Sequence, residues 1–176
     1  MQEYPFIKVK IIADSISQTG IRLTTFELEY PRYIHAEIMT HRVFSRNAQS
    51  SRAVPVKAQI ERTRLNPVYP IEYGANKAGM SSVDLLDEQD TDFASNVWYV
   101  LGQVCCDASE TLNDIGLHKE WSNRVTEPFS TIKVVITATE WDNFFWLRYD
   151  KDAAQPEIVE LARLMQEAMD SNTPFL

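Results

Sequence analysis

The apolar residues follow a two-residue rhythm near the start of the chain and a three-to-four-residue rhythm later. Phe6, Ile7, Val9, Ile11 and Ile12 predict a strand over Phe6 to Ile12. Asp14 to Gly20 is polar and reads as a turn. Ile21 to Tyr30 alternates, with Thr24, Phe26, Leu28 and Tyr30 on one side and Ile21, Leu23, Thr25, Glu27 and Glu29 on the other. That pattern predicts a second strand, paired with the first as a hairpin. From Pro31 the spacing of Tyr30, Ile34 and Ile38 is helical, with His35 and Met39 on a neighbouring stripe, and proline is at home in a helix's first turn. This helix delivers the chain to Thr40, where a polar stretch begins.

Pro55 to Arg64 predicts a short helix, and Asn66 to Met80, with Pro67, Pro70, Gly74 and Gly79, an irregular loop. Such a loop is either a lid over a ligand or a plain surface excursion. Asp92 to Ile115 is the longest predicted helix. Phe93, Val97, Val100, Val104, Ala108, Leu112 and Ile115 form its apolar stripe, broadened by Trp98, Tyr99 and Leu101. That breadth predicts burial on more than one side, as a central helix or at a subunit interface. Gly116 is its expected C-cap. His118 to Val125 reads as a helical piece ending before Pro128, and Thr131 to Thr139 as a strand. Trp141, Phe144, Phe145 and Arg148 then share one side of a helical turn, as aromatic core with an ion-paired arginine or as part of a site. Pro156 opens a last helix with Ile158, Leu161, Ala162, Met165 and Met169 on its apolar face. The order β-β-α-loop-α-β-α-α predicts an α+β fold with helices packed on a small antiparallel or mixed sheet. No repeat or composition shift divides residues 1–176, so a single domain is expected.

Charge narrows the function. The 176 residues are 44% hydrophobic with a net charge of -8, which argues against nucleic acid as a partner. No apolar run approaches the ~20 residues of a membrane span, and Met1 to Pro5 has no signal-peptide pattern, so a cytoplasmic protein is expected. Cys105 and Cys106 are adjacent, and His35, His41 and His118 form no ligand pair, so no metal site is expected. Yet Thr40 to Arg64 holds Arg42, Arg46, Arg52, Lys57, Arg62 and Arg64 against one acid, Glu61. A positive island in an acidic protein fits a small anionic ligand better than a polymer.

The island's first part, Thr40 to Arg52, holds arginines, a histidine, serines, an asparagine and a glutamine but no acid. Its polar groups cannot form a core. Guanidinium forks and hydroxyls are what grips a phosphate, although a solvated basic loop has the same composition. His41, at the end of the predicted helix, is placed to be a cation favoured by the helix dipole.

The string His41-Arg42, seven residues, Ser50, then Arg52 resembles the R-H-R-x7-S signature of flavin-dependent thymidylate synthases, the ThyX family. A second block agrees: Arg124-x-x-x-Pro128, the strand to Thr137, Asn143-Phe144-x-x-x-Arg148, and Ala154-Gln155-x-Glu157-Ile158. Pro31 matches as well, and the resemblance spans about residues 22 to 170. It implies a ThyX-like fold and a nucleotide phosphate held by Ser50, Ser51 and Arg52, with Arg124 reaching the same nucleotide. Arg148 would face the pyrimidine and stabilise negative charge on it, which with Ser50 makes the implied catalytic pair. His41, Arg42, Val43, Asn47 and Asn143 would line an FAD pocket. The implied reaction is reductive methylation of dUMP at C5, with carbon from methylenetetrahydrofolate and reducing power from NADPH through FAD. The resemblance further implies a homotetramer with active sites between subunits.

The chain departs from the signature. Thr40 stands where the family has its first Arg, Ala48 where it has Glu, and Ala53 where it often has Tyr. The flavin-contacting segment before the second strand is reduced to Ser15 to Gly20. Glu37 and Gln49, near the changed positions, are candidates for reading the base. Besides methylation of dUMP, these departures leave open hydroxymethylation or hydroxylation of dUMP or dCMP, or a non-catalytic nucleotide-binding relative.

Overall fold

The computed structural model describes residues 4–78 and 84–176. Strand β1 is Lys8–Ile16 and β2 is Arg22–Pro31; helix α1 is His35–Met39 and β3 is Ser45–Ala48. Helices α2, Val56–Leu65, α3, Glu88–Asp114, and α4, Lys119–Ser122, precede β4, Thr131–Ala138. Helices α5, Asp142–Arg148, and α6, Pro156–Ser171, close the chain. Short 3-10 turns cover Arg32–Ile34, Ser51–Ala53 and Asn123–Phe129. The sheet order is β1-β2-β4-β3, with every neighbouring pair antiparallel. The expected α+β architecture is present, and its sheet is antiparallel rather than mixed.

Alternation decides which face of the sheet is covered. Phe26, Leu28 and Tyr30 of β2 and Ile132, Val134 and Ile136 of β4 are buried, with Glu27 and Lys133 facing out. Trp141 just before α5, Phe144 of α5 and Ile158, Leu161, Ala162 and Met165 of α6 complete that core. Pro156 stands at the start of α6, where its missing N–H costs nothing.

Parts of the expected turn at Asp14 to Gly20 are strand instead. The β1 strand begins later than expected, bulges between Ile11 and Ala13, and continues to Ile16. It is held there by Asp14, a buried carboxylate. Arg22 donates to both its oxygens at 2.9 and 2.6 Å, Thr24 Oγ1 donates at 2.9 Å, and Asn172 Nδ2 donates at 2.7 Å. The tail after α6 covers the free edge of β1, where Ile16 N donates to Phe175 O at 2.7 Å. A buried charge needs this many partners, and here they tie the first hairpin to the C-terminus.

The longest helix starts earlier than its apolar stripe. Asp87 caps it, accepting from Asp90 N at 2.8 Å, and the acids of its first turn complement the helix dipole. Gly116 ends it with φ +85, and Leu117 N donates back to Leu112 O at 3.0 Å. The stripe itself does not face the core. Gly102, Cys106 and Ser109 point inward against α2, α4 and Asn123–Phe129, whereas Phe93, Val100 and Val104 are 70%, 57% and 55% exposed. A Cβ on Gly102 would sit 3.2 Å from the Phe129 ring, so only the side bearing small residues lets the backbones approach. The helix is therefore peripheral rather than central.

The loop after α2 is pinned along its first part: Val68 N donates to Phe129 O at 3.0 Å and Ile71 N to Glu157 Oε1 at 2.8 Å. Gly79 and Met80 of the predicted loop lie outside the described residues. The helical piece expected to stop before Pro128 instead runs through it as a 3-10 turn, which spares the α-helical bond that proline would break. Among the described residues no helix is long and apolar enough to cross a membrane.

Hydrogen bonds from Arg22, and further ones from Asn172 and Thr24, hold the Asp14 carboxyl below the usual carboxylate range. Its contribution to stability is therefore present above the ordinary unfolded value and is lost as pH falls through the depressed folded one. Asp14→Asn is expected to lower unfolding free energy at neutral pH by about 1–3 kcal/mol. In urea melts the gap to wild type should shrink as pH is lowered below 4, near the unfolded aspartate's ~3.9; a gap independent of pH would contradict this account.

Candidate functional site

The basic stretch leaves α1, makes strand β3 and ends in a 3-10 turn. The α1 helix has five residues, too few to hold itself. Its C-terminal carbonyls are taken by Arg46 on β3, whose Nη1 donates to Ile38 O, Met39 O and His41 O at 3.1, 3.1 and 2.9 Å. Arg46 is thus a helix cap rather than a free phosphate donor. The strand was not foreseen, because Ser45–Ala48 carries no apolar alternation. It pairs with β4 through its backbone.

At the α1 end of β3, Arg148 of α5 meets three residues of one turn. Its Nη1 donates to Glu37 Oε2 at 2.8 Å, its Nε to His41 Nε2 at 3.1 Å and its Nη2 to Thr40 Oγ1 at 3.2 Å. His41 is buried, stacked on Phe44 at 5.5 Å and edge-on to Phe144 at 5.0 Å. Burial lowers its pKa, and the Arg148 and Arg46 charges lower it further. In place of the expected imidazolium, His41 is disfavoured as a cation, first by burial and then by the Arg148 and Arg46 charges, and its Nε2 accepts from Arg148 Nε. Burial raises the Glu37 carboxyl, while Arg148 pulls it back.

At the other end of β3 lies a second group. Ser50 caps the Ser51–Ala53 turn, accepting from Arg52 N at 3.3 Å. Asn123 Nδ2 donates to Ser51 O at 2.8 Å and Val54 O at 2.9 Å, which binds this turn to the segment carrying Arg124. Arg52 and Arg124 are exposed, with loose ion pairs to Glu120 at 3.7 Å and Glu127 at 3.9 Å. Arg124 also lies over the Trp121 ring at 5.8 Å. A cleft of about 320 Å³ opens beside the turn, lined by Ser50, Ser51, Gln49, Lys8, Arg62 and Lys133 among others.

The residues ascribed to a flavin are spread differently. Arg42, Val43, Asn47 and Asn143 are all exposed, and none of their side chains makes a hydrogen bond among the described residues. His41 is the exception, since its ring is inside and its Nε2 serves Arg148. Among the described residues no group of His, Cys, Asp or Glu is placed to hold a metal ion.

One chain therefore brings Ser50, Ser51, Arg52 and Arg124 together and sets Arg148 with Glu37 apart. The strand between them is roughly 13 Å long, and no hydrogen bond or ion pair among the described residues joins the two groups. Thr40, Arg46 and Asn123 carry much of this geometry, yet sequence reading gave none of them such a role. For Thr40 a signal existed: positions 37, 40 and 41 share one helical turn.

The profile of the family described as thymidylate synthase complementing protein matches residues 22–175. No curated protein matches the chain. Among solved structures, the UMP/dUMP methylase PolB from Streptomyces cacaoi bound with 5-Br UMP superposes with TM-score 0.72 at 18% identity, over 93% of this chain and 88% of that one. The same protein bound with 5-Br dUMP gives TM-score 0.73 at 16% identity, over 93% and 89%. Thymidylate Synthase X (ThyX) from Helicobacter pylori with FAD and dUMP gives TM-score 0.55 at 15% identity, over 84% and 67%. Likeness at such identities carries the fold, and the profile match carries the family: this chain belongs to the thymidylate synthase complementing protein family.

Proposed function

We propose that this protein is a flavin-dependent enzyme acting at C5 of a pyrimidine deoxynucleotide, by default the reductive methylation of dUMP to dTMP. The observation that carries the reading is the pair of loosely held arginines beside Ser50 and Ser51. At 3.7 and 3.9 Å, exposed, the Arg52–Glu120 and Arg124–Glu127 pairs are worth little in water. A phosphate dianion offers short charge-assisted bonds in their place, together with the Ser50 hydroxyl and the N–H groups of the turn. The nearby structures with dUMP or UMP analogues, and with FAD, favour the same ligands here.

Arg148 is the group suited to the ring. Negative charge on the ring carbonyls is what makes C5 nucleophilic, and a preplaced guanidinium would stabilise that charge without reorganising, until it is spent as C5 bonds to the incoming carbon. Arg42, Val43, Asn47 and Asn143 would hold FAD, with His41 beneath them. When bound, FAD supplies the hydride, drawn from NADPH, while methylenetetrahydrofolate supplies the carbon. The side chains of this protein bind the phosphate, orient the ring and hold Arg148 still.

Because a single chain keeps Arg148 apart from the phosphate turn, the complete site is assigned to neighbouring copies. The exposed stripe of α3 is the surface for that assembly, as Val100 and Val104 in water gain by burial. A homotetramer in the cytoplasm is the form proposed.

Calorimetry tests the phosphate grip. Arg52→Ala and Arg124→Ala should each weaken dUMP binding about tenfold to a hundredfold, leaving deoxyuridine, which lacks the phosphate, unaffected. Equal losses for both ligands would remove the phosphate assignment. For the cofactor, titration with FAD should give a flavin difference spectrum that Asn143→Ala weakens; no uptake at micromolar FAD would end the flavin reading. Val100→Asp with Val104→Asp should give monomers by sedimentation, with helicity intact and turnover lost. An unchanged sedimentation coefficient in that double variant would exclude α3 as the contact.

A further inference from the structure

We infer that Glu37, Thr40 and His41 form a positioning turn for Arg148, and that Thr40, standing where the family signature has arginine, is what lets a single guanidinium occupy it. The consequence for turnover rests on the role of Arg148 proposed above. The turn itself is defined by contacts within this chain.

All three guanidinium nitrogens are engaged, each by a different side chain and each in a role that chemistry fixes. Glu37 brings the countercharge. His41 is neutral, so its Nε2 offers a lone pair. Thr40 donates its own proton to Glu37 O at 2.6 Å, which leaves its hydroxyl oxygen to accept from Arg148 Nη2. Beneath them Arg46 ties the same turn through the Ile38, Met39 and His41 carbonyls. A guanidinium carries more N–H groups than these three bonds use. The remaining ones stay available to a ligand, while the long arginine stem has already lost its freedom. Restraint before binding removes an entropic cost from the bound state.

An arginine at position 40 would bring a further cation to a turn that already holds Arg148 and Arg46. It would compete for Glu37, the one carboxylate bonded to Arg148 among the described residues. Threonine avoids that conflict and adds an acceptor. Among the described residues, the charged groups that act on Glu37 are Arg148 from α5 and Glu157 from α6, with His41 sharing the same Arg148. Burial raises the Glu37 carboxyl, and the Glu157 charge adds to this, against the pull of Arg148. Glu37 thus takes up its proton at higher pH than an ordinary glutamate, and a neutral Glu37 loosens Arg148 on the acid side.

The test follows the Arg148 Nε–Hε resonance in the full-length protein, assigned with Arg148→Lys. It is expected to be distinct and slow to exchange in wild type. Glu37→Gln and Thr40→Val should speed its exchange about tenfold or more, Thr40→Ser should restore it, and Thr40→Arg should behave like the valine variant. In turnover assays Thr40→Val should lower kcat about tenfold, with the nucleotide KM held within about twofold. Glu37→Gln should lose the acidic limb of the pH profile. An Arg148 resonance unchanged in Glu37→Gln and Thr40→Val, or a serine variant as impaired as valine, overturns the inference. Should wild type turn over no pyrimidine nucleotide while the resonance responds as expected, the proposed function falls and the positioning turn stands.

Discussion

The geometry around the basic stretch depends on Arg46 closing the end of α1. A five-residue helix leaves most of its C-terminal carbonyls without helical partners. Arg46, reaching back from β3, covers two of them, on Ile38 and Met39, and with them the His41 carbonyl just beyond the helix. That contact fixes where His41 and Phe44 turn inward, and so where β3 enters the sheet beside β4. Without it the stretch would be the solvated basic loop that its composition equally allows. With it, one face of the turn is core and the other presents Glu37 and Thr40 to Arg148.

Two classes of arginine result from the same chemistry in different settings. Arg148 and Arg46 have short bonds and partial burial, and both are structural before any ligand arrives. Arg52 and Arg124, themselves exposed, keep long ion pairs with half-buried Glu120 and Glu127, and Arg124 lies over Trp121. Tight pairing fixes a side chain's direction, whereas loose pairing leaves its charge available. The division follows position: the α1 end of β3 is built into the aromatic core of Phe44, Trp141 and Phe144, and the far end lies at the mouth of a cleft.

The α3 helix shows how a strong pattern misleads about direction. Its apolar stripe is real, but Gly102, Cys106 and Ser109 form the seam that touches the rest of the chain. The Phe129 ring leaves room only for a small residue at Gly102, and apart from Trp98, which packs on that ring, large residues such as Phe93, Val97, Val100 and Val104 face away. Its flanks were readable because caps are local: Gly116 at the end and Asp87 at the start act through their own neighbours.

Local physics determined much of this protein from its sequence. Alternation marked β2 and its buried face and Pro156 marked the start of α6, while it was resemblance to a known signature, not local physics, that pointed through Ser50, Arg52, Arg124, Asn143 and Arg148 to the family and a candidate site. Tertiary structure decided what depends on partners distant in the chain. Asp14 became strand because Arg22, Thr24 and Asn172 converge on it. Ser45–Ala48 became strand through backbone bonds that need no apolar side chains. His41 is held below the usual histidine range by burial first and by two arginines second, one of them far along the sequence. Hydrophobic period is written residue by residue, whereas the partner of a buried charge is chosen only when the chain has folded.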